Sequence, residues 1–242
     1  MPRTFLLLGS GEFEPWTHDV EARVLREAKG DGSVVILPTA SAPDGATVFD
    51  RWAKMGLDHY ADVGVTAEVL PVKEHDDAMR DDWAARAEQA SMIYFSGGKP
   101  QHLAGVLRDS SLLGAILRAM DRGAVWAGCS AGATVVSRSK DGSRGSSYLF
   151  GLGLIPHVSF GVHWDRAAKI PGLAWWMTSR IPDDTWFVGI DEKTAIVGDG
   201  TSWEVFGHRE VEVRGPDQPT KFAAGQRFET PSPSRSGTNG SR

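Results

Sequence analysis

The stretch "GAVWAGCSAGATVV", residues 123–136, combines a strand-like apolar run, a turn of very small residues and the start of a helix-like segment. Comparable apolar runs occur at 4–9, 33–39, 66–72 and 91–98, with amphipathic, helix-like segments between the runs. Strands that alternate with helices predict a mostly parallel sheet flanked by helices. Ligand sites in such sheets lie beyond the carboxyl ends of the strands. The sequence therefore predicts an α/β fold whose site includes the turn at 128–132.

The pattern changes in the last quarter of the chain. Residues 186–214, "WFVGIDEKTAIVGDGTSWEVFGHREVEVR", contain short strand-like runs joined by "GDGT" and "GH". These turns predict antiparallel hairpins near the C-terminus. Residues 229–242, "ETPSPSRSGTNGSR", are almost devoid of apolar side chains. We therefore expect one α/β domain over residues 1–228 and a disordered tail over 229–242.

Composition narrows the class of protein. The chain has 242 residues, 41% hydrophobic and 24% charged, with a formal net charge of −5. An acidic balance argues against a nucleic-acid partner. No segment has the length and apolarity of a membrane span, and the N-terminal apolar run is too short for a secretory signal. One cysteine excludes an internal disulfide. Together these features lead us to expect a cytoplasmic protein without a membrane partner.

The turn itself fits the G-x-S-x-G pattern of a nucleophile elbow, "GCSAG" at 128–132. Two nucleophiles stand side by side in it. Glycines lie two residues before and after Ser130, whereas Ala127 and Ala131 hold those places around Cys129. This register favours Ser130, and Cys129 stays open as an alternative. In either case the amide of Ala131 is a candidate oxyanion donor.

A serine nucleophile needs a base, and the chain has seven histidines. His163, in "SFGVHWDR", follows a strand-like run and is a candidate base at a strand end. The loop "GSGEFEPW" has Glu14 where a dinucleotide-binding fingerprint needs its third glycine, which argues against such a cofactor. Neither H-E-x-x-H nor paired cysteines occur. We therefore expect no metal and no cofactor.

Four motifs, in order, carry a family resemblance: "YFSGGKPQHL" (94–103), "GCSAGA" (128–133), "GLGLIPHVSFGVHWDR" (151–166) and "GIDEKTAIV" (189–197). With "LLLGSGE" and "VVILPTASA" they resemble the dipeptidase E and cyanophycinase family of serine peptidases over residues 4–214. The resemblance implies a class I glutamine amidotransferase-like fold, which is a flavodoxin-like three-layer arrangement. Serine replaces the elbow cysteine of the amidotransferases.

The resemblance also implies roles for individual residues. Ser130 would be the nucleophile and His163 the general base. The glycine pair Gly97 and Gly98 would supply an oxyanion amide beside that of Ala131, with Gly98 the preferred donor.

The third member of a triad is a carboxylate that orients the histidine. The cyanophycinase branch of the family points to Glu192, and we take it as the first candidate. Asp141 is the second candidate, because it is the only acidic residue between the serine and the histidine. Asp191 and Asp165 are poorer candidates.

Departures from the family pattern bear on the substrate. Lys99 and Pro100 precede Gln101, and the arginine-rich stretch that follows the histidine in cyanophycinases is reduced to "HWDRAAKIPGL". Lys99 changes the local charge and favours an acidic group, and the loss of the arginine-rich stretch argues against cyanophycin. We take Gly97, Gln101 and Arg166 as substrate-binding candidates.

The resulting hypothesis is a serine hydrolase that cleaves small peptides, with aspartate at the scissile bond or a β-aspartyl bond. One alternative is a Cys129-dependent, amidotransferase-like enzyme. Another is a binding protein of the same fold that has lost turnover. Dimers occur in the family, so the resemblance allows a homodimer.

Overall fold

The computed structural model describes residues 2–138, 151–179, 181–182, 184–215 and 219–232. Within them the largest unit is an eight-stranded sheet of order β12-β9-β8-β1-β5-β4-β2-β3. Its parallel strands are β1 (Thr4–Leu8), β2 (Val34–Leu37), β3 (Ala67–Val69), β4 (Met92–Phe95) and β5 (Val125–Cys129). Its antiparallel strands are β8 (Thr194–Gly198), β9 (Ser202–Gly207) and β12 (Arg227–Glu229).

A second sheet has the order β11-β10-β7-β6. Its strands are β6 (Val158–Val162), β7 (Trp186–Ile190), β10 (Glu210–Arg214) and β11 (Thr220–Ala223). β6 and β7 are parallel, whereas β10 is antiparallel to both of its neighbours. The sequence did not predict this sheet.

The predicted C-terminal hairpins are present, with one correction. "GDGT" joins β8 to β9 as an antiparallel hairpin. The "GH" turn, in contrast, carries the chain from β9 in the large sheet to β10 in the small one, so these two strands do not pair. The folded chain also continues past residue 228. Thr230 is fully buried, and its hydroxyl accepts a 2.9 Å hydrogen bond from the indole of Trp203.

Helices lie between the strands, as the alternating pattern predicts. They are α1 (His18–Glu27), α2 (Ala46–Asp62), α3 (His75–Ala78), α4 (Asp81–Gln89), α5 (Pro100–Leu107), α6 (Ser111–Arg122), α7 (Ala131–Thr134), α8 (Trp164–Ala167) and α9 (Leu173–Thr178). Of the helices in the described ranges, none has the length and apolarity needed to cross a membrane.

The arrangement places β5 in the middle of the large sheet, between β1 and β4. Leu8 pairs with Cys129 across one side, and Phe95 pairs with Gly128 across the other. The segments that follow these three parallel strands therefore emerge at one edge of the sheet. They contain the loop at 9–14, the loop at 96–99 and the elbow.

A buried contact between a histidine and a carboxylate links α1 to α2. His59 and Glu21 are only 4% and 2% exposed, and His59 Nε2 lies 2.6 Å from Glu21 Oε2. Breaking a buried pair leaves its surviving polar partner desolvated and unpaired. This explains why a histidine in a polar helical segment is buried.

We expect His59→Leu to lower the free energy of unfolding by about 3–5 kcal/mol, because it strands the Glu21 carboxylate. Urea unfolding should show a lower midpoint concentration, while the slope of the unfolding free energy against urea concentration stays unchanged. The double variant with Glu21→Leu should be more stable than His59→Leu alone. Lys54→Ala is the matched control, since Lys54 makes only an exposed ion pair with Asp58 on the same helix. A His59→Leu protein as stable as wild type contradicts the prediction.

Candidate active site

Ser130 lies at a sharp turn between β5 and α7. Its backbone has φ 50° and ψ −103°, a conformation that non-glycine residues rarely adopt. Its amide donates to Leu8 O at 3.0 Å, which ties the turn to the end of β1. A side chain on Gly128 would collide with the carbonyl of Gly132, and one on Gly132 would collide with the carbonyl of Phe95. The glycines two residues before and after Ser130 are thus explained by steric exclusion of larger side chains.

His163 lies beside this serine. It follows β6 directly, and its backbone is left-handed, with φ 51° and ψ 36°. Its Nε2 is 3.3 Å from Ser130 Oγ. Distances of this kind are often longer in ligand-free enzymes and shorten when substrate binds. The structure therefore brings the predicted nucleophile and the predicted base together.

Glu192 lies on the other side of the imidazole. His163 Nδ1 is 2.9 Å from Glu192 Oε1. An ionised carboxylate can only accept, so Nδ1 donates to it and Nε2 is left to accept from the hydroxyl of Ser130. The small sheet explains the contact. Val162 pairs with Ile190 in parallel strands, so the residues that follow both strands emerge at the same end.

Charged neighbours hold Glu192 in place. Arg166 Nε is 3.0 Å from the same Oε1 that His163 contacts. The amide of Glu192 donates to Asp165 Oδ1 at 3.0 Å, and Asp165 also forms an ion pair with Arg209. Asp165 thus supports the backbone of Glu192.

Two other acids were candidates from the sequence, Asp191 and Asp141. Asp191 accepts from the amide of Glu210 at 3.3 Å, and burial raises the pKa of its carboxyl. Asp141 lies outside the described residues.

The glycine loop at 96–99 lies against the elbow. A Cβ on Gly97 would come within 3.5 Å of Ser130 Cβ. The amide of Gly97 donates to Glu12 Oε1 at 2.9 Å, and that of Lys99 donates to Ala40 O at 2.7 Å. Gly98, between them, has φ +143°, and its amide donates to no other described residue.

Ala131 offers a second amide. It begins α7, where a helix leaves its first N–H groups without partners inside the helix. Both amides named for an oxyanion hole are therefore available, and the amide of Gly97 is not.

Cys129 faces away from the solvent. It is fully buried at the end of β5, and its Sγ donates to Glu12 Oε2 at 2.8 Å. Burial, with the neighbouring Glu12 carboxylate, raises the pKa of this thiol well above its usual value. Because the thiolate is the nucleophilic form, this environment disfavours Cys129 as the attacking group.

The substrate-binding candidates lie around the same edge. Gln101 is exposed on the first turn of α5. Arg166 has a side chain 73% exposed and is paired with Glu192. Lys99 forms an exposed ion pair with Asp44 at 2.7 Å. In the described ranges no group of three or more His, Cys, Asp or Glu residues could hold a metal ion.

An elbow at the centre of a mostly parallel sheet, with serine at its tip, defines a class of α/β proteins with glutamine amidotransferase-like architecture. Comparison with known proteins narrows this class. The model of peptidase family S51 matches residues 5–206, and the chain belongs to that family. The resemblance to dipeptidase E and cyanophycinase is thereby confirmed.

Two solved structures share the fold. A peptidase from an acI-B1 Actinobacterium superposes with a TM-score of 0.87 at 28% identity, covering 95% of this chain and 98% of that one. A putative peptidase E protein from Listeria monocytogenes gives a TM-score of 0.56 at 18% identity, covering 88% of this chain and 98% of that one, which bears on fold alone.

Curated relatives include cyanophycinases. That of Trichormus variabilis is 28% identical over 200 residues, which cover 77% of this chain and 64% of that protein. That of Geminocystis herdmanii is 26% identical over 204 residues, which cover 79% of this chain and 72% of that protein. This chain thus spans just under two thirds of the length of the Trichormus relative.

Glu12 is the residue at this site that the sequence analysis missed as a functional candidate. It lies in the loop "GSGEFEPW", whose pattern does not match a dinucleotide-binding fingerprint. Its position in the loop after β1 carried a usable signal, since that loop emerges at the same edge as the elbow.

Proposed function

We propose that this protein is a serine-type peptidase that cleaves small peptides through an acyl-enzyme. The observation that carries the proposal is the chain of contacts from Ser130 to His163 to Glu192, on an elbow with strained backbone. Membership of peptidase family S51 supports it.

In this mechanism His163 Nε2 takes the proton of Ser130 as Oγ attacks the scissile carbonyl. The amides of Gly98 and Ala131 donate to the oxyanion that forms. The same imidazolium then protonates the leaving amine, and a water hydrolyses the ester by the reverse sequence. Glu192 holds the imidazole in the productive tautomer and stabilises its cation.

We propose acidic peptides as the substrate class, either aspartate-containing dipeptides or β-aspartyl peptides. Two exposed cations support this choice. Lys99 is the last residue of the glycine loop, and Arg166 lies at the triad carboxylate. Their present partners, Asp44 and Glu192, are carboxylates, so both cations already bind the group that such a substrate would present. Gln101, one residue past Pro100, is the further candidate contact.

Hydrolysis of a peptide panel tests the proposal. Purified protein is incubated with Asp-Leu, Leu-Asp, β-Asp-Leu, Lys-Leu, Leu-Leu and cyanophycin, and released amines are measured. Cleavage of an aspartyl or β-aspartyl peptide with little cleavage of Leu-Leu supports the proposed substrate class. Preference for Lys-Leu or Leu-Leu contradicts that class while keeping the peptidase activity. Cleavage of none of them by a folded protein favours a binding protein that has lost turnover.

A further inference from the structure

Glu12 is a buried carboxylate directly behind the nucleophile. It is 6% exposed, and both of its oxygens are engaged. Oε1 accepts from the amide of Gly97 at 2.9 Å, and Oε2 accepts from the thiol of Cys129 at 2.8 Å. One side chain from the loop after β1 therefore joins the glycine loop to the last residue before Ser130.

Packing alone does not explain a carboxylate at this position. Burying an ionised group costs free energy that its partners must offset, and a thiol is a weak donor. A negative charge close to an oxyanion site also opposes the charge that develops there. A neutral side chain would avoid both costs, so the carboxylate needs a compensating role at the site.

Geometry indicates that role. The loop 97–99 has its first amide bound by Glu12 and its third bound by the carbonyl of Ala40. Gly98 lies between these two bound amides. A side chain on Gly98 would collide with the carbonyl of Ala40. Holding the amides on both sides limits where the intervening peptide bond, which carries the N–H of Gly98, can lie.

We propose that Glu12 is a positioning residue, which holds the amide of Gly98 at the oxyanion position by clamping Gly97 against the elbow. The inference rests on the proposed serine-peptidase mechanism. Glu12 touches no reacting atom and acts through Gly97 and Cys129. An oxyanion donor contributes mainly in the transition state, so its misplacement lowers kcat and leaves KM nearly unchanged.

Two variants of Glu12 separate the hydrogen bond from simple packing. Glu12→Leu removes the acceptor, and we expect kcat to fall about a hundredfold, the usual cost of losing one oxyanion donor. Glu12→Gln keeps an oxygen for Gly97 and places an amide group at the sulfur of Cys129, a weak acceptor. Its hydrogen bonds lack charge assistance, so we expect an intermediate loss of about tenfold.

The measurement is kcat and KM on the panel peptide that wild type hydrolyses fastest, together with the second-order rate of labelling by a fluorophosphonate. KM should stay within about threefold of wild type. Glu14→Gln is the matched control, because Glu14 lies two residues away and pairs with Lys193 at the surface. It should label and turn over like wild type. Circular dichroism and thermal unfolding identify any variant that fails to fold. If Glu12→Leu does not fold, the kcat and labelling rate of Glu12→Gln test the role of Glu12.

The outcomes are distinct. A folded Glu12→Leu whose kcat and labelling rate stay within about threefold of wild type overturns the role of Glu12, and if Glu12→Leu does not fold, a Glu12→Gln within about threefold of wild type does the same. A loss confined to KM does the same. If wild type labels but cleaves no panel peptide, the labelling rates still decide the role of Glu12, and only the proposed substrates fail. A folded wild type that never labels overturns the mechanism and this inference together.

Discussion

Replacing Ser130 by alanine should lower kcat about a million-fold, the loss seen when the nucleophile of a serine peptidase is removed. Ser130 Oγ is the oxygen that lies against the imidazole of His163, and the elbow backbone is set to present it. Alanine fits the same small turn, so we expect the fold and its thermal stability to be retained. The measurement is turnover of the best panel peptide, with substrate affinity followed by calorimetry on the inactive variant.

Cys129→Ser is the matched control for this prediction. It removes the adjacent thiol and keeps a hydrogen-bond donor for Glu12. We expect it to retain kcat within about tenfold of wild type and to be labelled by a fluorophosphonate. Ser130→Ala, in contrast, should not be labelled. Native protein should also resist iodoacetamide, because the thiol is buried and largely protonated. Inactivation by iodoacetamide, with activity surviving in Ser130→Ala, would establish Cys129 as the nucleophile instead.

The elbow was predictable because its chemistry is local. A strand, a turn of small residues and a helix follow one another within 123–136, and the collisions that exclude a side chain at Gly128 and Gly132 appear as glycines in the sequence. The alternation of strands and helices likewise predicts the parallel sheet. Helix α5 begins at Pro100, and proline suits the first turn of a helix.

The second sheet could not be predicted in the same way. Strands β6 and β7 pair with 23 residues between Val162 and Trp186, and hydrophobic patterning says nothing about which strands pair over such distances. The contact between His163 and Glu192 depends on that pairing. Glu192 was therefore named only through the family resemblance. The contacts of Glu12 were not predictable, because its partners, the amide of Gly97 and the thiol at the end of β5, are distant from it in the sequence.

The acid of the triad leads to the second large effect. Glu192→Gln should lower kcat about ten-thousandfold, as the equivalent carboxylate-to-amide change does in other serine peptidases. The carboxylate accepts from Nδ1, whereas an amide nitrogen at that place donates to it. The imidazole then carries its hydrogen on Nε2 and cannot accept the proton of Ser130. Substrate binding should be nearly unchanged, so the loss should lie in kcat.

Asp141→Asn is the comparison that decides the assignment. We expect its kcat to stay within about threefold of wild type, because Glu192 already satisfies Nδ1 at 2.9 Å. Both variants are compared with wild type for turnover, fluorophosphonate labelling and thermal unfolding. The reverse result, a ten-thousandfold loss in Asp141→Asn with Glu192→Gln close to wild type, would assign the role to Asp141. In that case the contact between Glu192 and His163 would serve only to anchor the small sheet beside the elbow.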